Sequence, residues 1–370
     1  MRYTKAIIDL QAIKYNLAIM KNAIKKDTNI IAIVKANGYG HGAVEIAKTA
    51  LEAGCSHLAV AFPQEGVILR QAGITAPILI LGLIAPQEAQ TCIDNNLIVT
   101  IAMAEHLPPL ITAAQNSNTT AQTFLKIDTG MNRIGTDTQN AINLASKIKE
   151  TDHIELLGLF THFASAGGSD LSYAKLQLAR FQATIEQLEK LQLKPDLVSA
   201  AASSAILNFP ESHFNLVRAG VAMYGLHPSA HLQKKYQLQP ALSLTTNISY
   251  IKKLPANSSI GYEMTYQTKE DTYIATLPLG YADGYNRLFS NKAHVLINGK
   301  RYKIAGNVCM DQLMVDLGQD STIKVGDEVT LIGKQKNDAI TLEELADLAC
   351  TINYELACNL SLRVPRIYLN

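Results

Sequence analysis

Eight short apolar runs, most of them separated by stretches with helical spacing, do most to limit how this chain can fold. They are IIAIVKA (30–36), HLAVAF (57–62), PILILG (77–82), LIVTIA (97–102), TFLKID (123–128), IELLGLF (154–160), LVSAAAS (197–203) and LVRAG (216–220). Near-continuous hydrophobicity, rather than alternation, marks strands covered on both faces, as in parallel α/β sheets. The stretches between most of them, such as GAVEIAKTALEAG (42–54), carry a helical period. In 171–193 that period predicts one broad face of Leu176, Ala179, Phe181, Ile185, Leu188 and Leu191. The link from 203 to 216 leaves room for a short helix at most. Eight is the number that closes a (β/α)8 TIM-like barrel, and about 200–250 residues is its usual size. A doubly wound open sheet is the other architecture that fits the pattern.

Past residue 235 the helical period largely stops. ALSLTTNISYIKKL, TYIATLPLG, AHVLINGKRYKIAG, DQLMVDLG and DEVTLIG alternate as antiparallel strands do, and Asn298-Gly299 is a hairpin turn signal. One helix is expected at 341–352, opened by a capping box from Thr341 to Glu344. The expected organisation is therefore a barrel over 1–235 and a mostly-β domain over 236–370. The polar, proline-flanked HPSAHLQKKYQLQP (227–240) marks the boundary.

A net charge of +1 with 18% charged residues gives no basic face for nucleic acid or an anionic membrane. No apolar run approaches the ~18 residues that span a bilayer. The first residues, MRYTKAIIDLQAIKYNL, show no signal-peptide pattern. Five cysteines (55, 92, 309, 350, 358) are scattered without metal-ligand spacing, as expected of reduced thiols in the cytoplasm.

The chemistry begins at IIAIVKANGYGHG (30–42), where Lys35 ends an apolar run and glycines follow. A P-loop places its lysine after the glycines, and the G-x-G-x-G spacing of Gly38, Gly40 and Gly42 is not the dinucleotide fingerprint. Two readings remain. Lys35 is an exposed strand-end lysine, or it is a desolvated amine that forms a Schiff base with pyridoxal phosphate, the glycines letting the backbone approach the cofactor. The other polar strand-end residues bear on the choice. Arg133, His162, Ser203 and Ser204, then Arg218, Gly220 and Tyr224, each follow or end a predicted strand. In a barrel they share the C-terminal face, where such enzymes keep their sites.

AIVKANGYGHG, KIDTGMNRIG, THFASA, NLVRAGVAMYG, PLGYADGYNR, GNVCMDQ and INYE together resemble the fold-type III pyridoxal phosphate enzymes, and within them the alanine racemase family. The resemblance runs along essentially the whole chain. It implies a homodimer with shared active sites and a two-base isomerase: Lys35 carries pyridoxal 5'-phosphate and acts on one face of the substrate, and Tyr262 of the partner subunit acts on the other. It further implies that His162 and Arg218 tune the tyrosine and the cofactor ring. Tyr39, Ser204, the backbone at Gly220 and Val221, and Tyr354 would bind phosphate. Arg133 would meet the cofactor's phenolic oxygen and the substrate carboxylate, with Met310 of the partner subunit also at that carboxylate. Tyr281 and Arg287 would line the entry passage. Lys126 matches a lysine that relatives often carry as a carbamate. Glu263 stands where many relatives carry a small residue. The implied product is D-alanine for peptidoglycan.

Each residue also has a structural reading: His162 as a satisfied core histidine, Ser204 as a helix cap, Tyr281 and Tyr354 as half-buried aromatics, Cys309 as packing. Two related activities compete, a broad-specificity racemase and an amino-acid decarboxylase. The decarboxylases pair the ring nitrogen with an acid, against which Arg218 argues. A single-domain cofactor carrier would lack the β region.

Overall fold

The computed structural model describes residues 3–370. The described residues form two compact units: one of 13–38 and 43–239, the other of 3–12, 39–42 and 240–370. The first strand, β1 (Lys5–Asp9), belongs to the second unit. It pairs antiparallel with Leu242–Asn247 and parallel with Arg366–Leu369.

The larger unit is the parallel barrel. Its strands are β2 (Asn29–Ile33), β3 (His57–Val60), β4 (Ile78–Ile80), β5 (Ile98–Ile101), β6 (Ala121–Lys126), β7 (Ile154–Phe160), β8 (Leu197–Ser199) and β9 (Leu216–Ala219). They pair in the order β8-β7-β6-β5-β4-β3-β2-β9. The ring shuts through a bridge between Ala202 and Arg218, with the Arg218 N–H donating to the Ala201 carbonyl at 3.0 Å. All eight expected strands are present, so the barrel stands and the open sheet does not. Ile31, Leu58, Ile80 and Ile101 are without exposure, as strands covered on both faces require.

The helix expected in 171–193 spans Ser172–Lys190, but its buried face is Ala174, Gln177, Leu178, Phe181, Thr184, Ile185 and Leu188. Leu176 and Leu191 are exposed and Ala179 faces solvent, so those three expected core positions are corrected. A 3.6-residue period centred on Phe181 selects 174, 178, 185 and 188, and Gln177 and Thr184 enter the face through hydrogen bonds.

In the β-rich unit, His294–Ile297 and Lys300–Ile304 form the hairpin expected at Asn298-Gly299, with Ile297 opposite Lys300. Both turn residues have positive φ, 55° and 82°, which suits Asn and Gly. The expected helix covers Leu342–Ala349, and Thr341 Oγ1 accepts from the Glu344 N–H at 3.0 Å. The reciprocal half of the capping box is not made, because Arg301 takes the Glu344 carboxylate at 2.6 Å. Among the described residues no helix is long and apolar enough to cross a membrane.

Candidate active site

Lys35 lies two residues beyond β2 rather than on the strand. The chain leaves it through a left-handed turn: Ala36, Asn37, Gly38, Tyr39 and Gly40 all have φ between 50° and 82°. Three of these carry side chains, at about 1–2 kcal/mol each, so the turn stores roughly 3–6 kcal/mol. Glu65 restrains it. Its carboxylate accepts from the Ala36 N–H at 2.6 Å and the Ala61 N–H at 2.7 Å, joining the ends of β2 and β3. Asn37 Oδ1 accepts from the Ala43 N–H at 3.0 Å. The glycines answer local packing: a Cβ on Gly40 would strike the Ala357 carbonyl, and one on Gly42 the Tyr368 hydroxyl.

Arg218, on β9, is 3% exposed and anchors the rim. Its guanidinium donates to the Ser199 carbonyl (3.1 Å), Ser199 Oγ (2.7 Å), the Thr161 carbonyl (2.7 Å) and the Ala200 carbonyl (3.0 Å). Burial brings its pKa down to about 9, so it stays a cation at neutral pH. It also donates to His162 Nδ1 at 3.2 Å. Arginine has only donors, so His162 Nδ1 accepts and Nε2 keeps the hydrogen. Burial, then Arg218, Lys126, Arg133 and Lys35, hold the His162 pKa well below its usual value. The imidazole is therefore neutral and offers Nε2–H as a donor.

Lys126 closes β6 and is 4% exposed. Burial first, then Arg218 and Arg133, lower its pKa to about 7, with Asp128 opposing them. The Phe160 ring takes both cations, Lys126 Nζ at 5.0 Å and the Arg218 guanidinium at 5.4 Å. Arg133 sits in an exposed loop pinned by Asp128, whose carboxylate accepts the N–H groups of Gly130, Met131 and Asn132 at 2.9–3.1 Å. Four cationic side chains thus act on one histidine, and no carboxylate is among the charges that shift it. That donor set suits a polyanionic ligand.

Ser203, not Ser204, is the buried serine here. Its Oγ accepts from the N–H groups of Gly220 (2.9 Å) and Ala222 (3.2 Å), fixing the turn that holds Val221. Ser204 is half-buried beside it.

In the β-rich unit Tyr39 is held above its ordinary pKa by burial, with Cys358 and Tyr354 beside it adding to the effect. The two tyrosines expected to bind phosphate are thus close together. Tyr262 is 72% exposed and Met310 53%. The loop carrying Tyr262 is tightly specified. Asn307 Nδ2 donates to the Tyr262 carbonyl at 3.0 Å. Asn291 Nδ2 donates to the Thr265 carbonyl at 3.2 Å, and its Oδ1 accepts from the Gly306 N–H at 2.7 Å. Tyr266 donates to Asp316 at 2.6 Å. Tyr281 and Met310 belong to one laced pair of segments: the Tyr281 N–H donates to the Cys309 carbonyl (3.0 Å) and the Ala282 N–H to that of Met310 (3.1 Å). Burial pushes the Cys309 thiol up, so it stays protonated. A cleft of about 450 Å³ is lined by Tyr281, Gly284, Asn286, Arg287 and Asn359.

The sequence reading missed Glu65, Asn307 and Gln177. Gln177 Nε2 donates to the His162 carbonyl at 3.1 Å and its Oε1 accepts from the Ala164 N–H at 2.9 Å, holding the histidine's segment. A glutamine on a mostly apolar helix face was the one signal available for it.

A parallel barrel with an amine and guanidinium groups gathered at its C-terminal rim is an arrangement that fits a phosphate-bearing cofactor. Residues 8–228 match the family profile "Alanine racemase, N-terminal domain", and 241–368 match "Alanine racemase, C-terminal domain". The alanine racemase of Symbiobacterium thermophilum is 44% identical over 100% of this chain and 97% of its own. That of Carboxydothermus hydrogenoformans is 43% identical over the full length of both. The crystal structure of alanine racemase from Bacillus anthracis with bound L-Ala-P superposes with a TM-score of 0.95, at 39% identity, covering 100% of this chain and 96% of that one. The chain belongs to the alanine racemase family, whose members are pyridoxal-phosphate-dependent isomerases.

Proposed function

We propose that the protein interconverts L- and D-alanine with two bases, Lys35 on one face of the substrate and Tyr262 of the partner subunit on the other. The observation that supports this most is Arg218, a buried guanidinium that donates to His162; the family resemblance assigns it to the cofactor's ring nitrogen, where the decarboxylases use an acid. The cofactor, bound in this cationic rim, supplies an electron sink for the substrate's α-carbon.

At neutral pH Arg218 keeps its proton, so it would offer the ring nitrogen a hydrogen bond without protonating it, and the sink would be a tempered one. A tempered sink favours return of the proton over transamination. Lys35 Nζ would hold the cofactor through its aldehyde and would exchange the α-proton on its side. The Tyr262 oxygen does so on the opposite side, because one side chain does not reach both faces of a planar carbon. His162 Nε2–H donates to that phenolic oxygen and orients it toward the substrate. Tyr39, Ser204, the Val221 N–H and Tyr354 bind phosphate, and Ser203 orients the Gly220–Val221 turn. Arg133 and the Met310 N–H of the partner subunit take the substrate carboxylate, and Tyr281 and Arg287 line its approach.

The proteins pair as a homodimer with shared sites. The exposure of Tyr262, Met264 (70%), Met310 and Leu362 (86%) supports it, since large apolar side chains so displayed favour a covering partner. The product serves peptidoglycan synthesis in the cytoplasm. The test is a chiral assay of the protein loaded with pyridoxal phosphate: L-alanine alone should give the D enantiomer, and the reverse. No interconversion by fully loaded protein would refute the reading.

A further inference from the structure

Glu263 is the residue whose position the proposed reaction does not explain. It follows Tyr262 with φ 61° and ψ 6°, a left-handed backbone that disfavours any side chain, and Met264 after it repeats the strain at φ 52°. The carboxylate is 72% exposed, yet it has two partners. Its Oε2 accepts from Asn307 Nδ2 at 3.4 Å and lies 3.8 Å from the Arg287 guanidinium. Asn307 is 7% exposed, and the same amide nitrogen holds the Tyr262 carbonyl. One buried amide therefore fixes both the tyrosine's backbone and the neighbouring carboxylate.

Arg287 is the only charged residue among the five that line the 450 Å³ cleft; the others are Tyr281, Gly284, Asn286 and Asn359. Whatever compensates Arg287 decides the electrostatic sign of that cleft. An arginine alone would attract any anion, including molecules with two carboxylates. An arginine with a carboxylate at 3.8 Å still presents donors to one carboxylate but repels a second.

We propose that Glu263 is a specificity-determining residue: paired with Arg287 and held by Asn307, its carboxylate screens the approach to the site against ligands that carry a second anionic group. The inference rests on the reading of Tyr262 and Arg287 as parts of the reaction site and its entry. It deepens that reading by naming the class of molecule turned away, the dicarboxylates and the amino acids with acidic side chains.

The test uses holoenzyme with propionate as the one-carboxylate probe and succinate as the two-carboxylate probe. Affinities are read at low ionic strength both as inhibition of alanine turnover and by titration calorimetry, which needs no turnover. The readout is the ratio of the succinate to the propionate dissociation constant. Glu263→Gln should lower that ratio about fivefold, the scale of one charge interaction near a protein surface. Raising the salt to about 1 M, where the screening length is about 3 Å, should erase most of the difference. Glu263→Gly, which suits the left-handed backbone, should give the same shift. The double variant Glu263→Gln with Arg287→Gln should lose the gain in succinate affinity. A ratio unchanged within twofold in both single variants would overturn the inference. Absence of alanine turnover in the wild type would instead overturn the reading on which it rests, and calorimetry keeps the two outcomes apart.

Discussion

Lys126 offers a chemical prediction that follows from its burial. It is 4% exposed at the end of β6, beside Arg218 and over the Phe160 ring. Its pKa falls from 10.5 to about 7. At pH 8 an amine of that acidity is about 90% neutral, against about 0.3% for an ordinary lysine, which makes it about 300-fold richer in the reactive form. The neutral nitrogen adds to the carbon of dissolved carbon dioxide and loses a proton to water, leaving a carbamate. The product places an anion where a neutral amine stood, beside the cations Arg218 and Arg133 that stabilise it. We expect Lys126 to be carbamylated. Protein equilibrated with ¹³C-bicarbonate at pH 8 should give a carbamate carbon signal that is missing from Lys126→Met. Stripping carbon dioxide should lower activity, and bicarbonate should restore it. Absence of a signal that depends on Lys126 would refute the reasoning. The uncarbamylated state makes a second demand with a definite sign. Between about pH 7 and 10.5 the unfolded chain binds a proton at this lysine that the folded chain does not. Without carbon dioxide, stability should therefore rise with pH across that window, and Lys126→Met should flatten the rise.

Three further outcomes are expected. Tyr262→Phe should cut the L-to-D rate by about 10²–10⁴-fold, with an isotope effect on the L-alanine α-hydrogen larger than on that of D-alanine; equal loss with equal isotope effects would argue against separate bases. Arg218→Lys replaces a five-donor fork with three donors and so leaves at least two of its five acceptors unserved, so chemical denaturation at fixed protein concentration should show about 2–4 kcal/mol lost; wild-type stability would contradict it. Gly261→Ala should lower turnover at least tenfold, read by the chiral assay. Gly261 sits at φ 71° and ψ −171°, a region essentially reserved for glycine, and the strain of about 1–3 kcal/mol would fall on the residue preceding Tyr262. The added methyl would meet only the flexible tip of Met314, so the cost is in the backbone.

What the sequence revealed and what it hid divide along one physical line. The eight barrel strands, the Asn298-Gly299 hairpin and the helix beginning after Thr341 are written in local pattern, and they are found where that pattern puts them. The gathering of Lys35, His162 and Arg218 at one rim followed from placing each residue near the end of a parallel strand, whereas Lys126 entered only through the family resemblance. The left-handed turn after Lys35 was not legible, because Ala-Asn-Gly-Tyr has no strong preference for it. Its restraint comes from Glu65, 29 residues away. The clamp on Tyr262 comes from Asn307, 45 residues away, and β1 joins its sheet through partners at the far end of the chain. Gln177 replaced Leu176 and Ala179 on the helix face because its amide serves the His162 segment, and a hydrophobic period does not report that.

The central claim is that the Lys35 amine is the one joined to the cofactor. Borohydride reduction of holoenzyme, digestion and mass mapping of the peptides test it directly. The account predicts the reduced pyridoxyl mass on the peptide containing Lys35 and on no other; the same mass on Lys126 or elsewhere, or none at all, would contradict it.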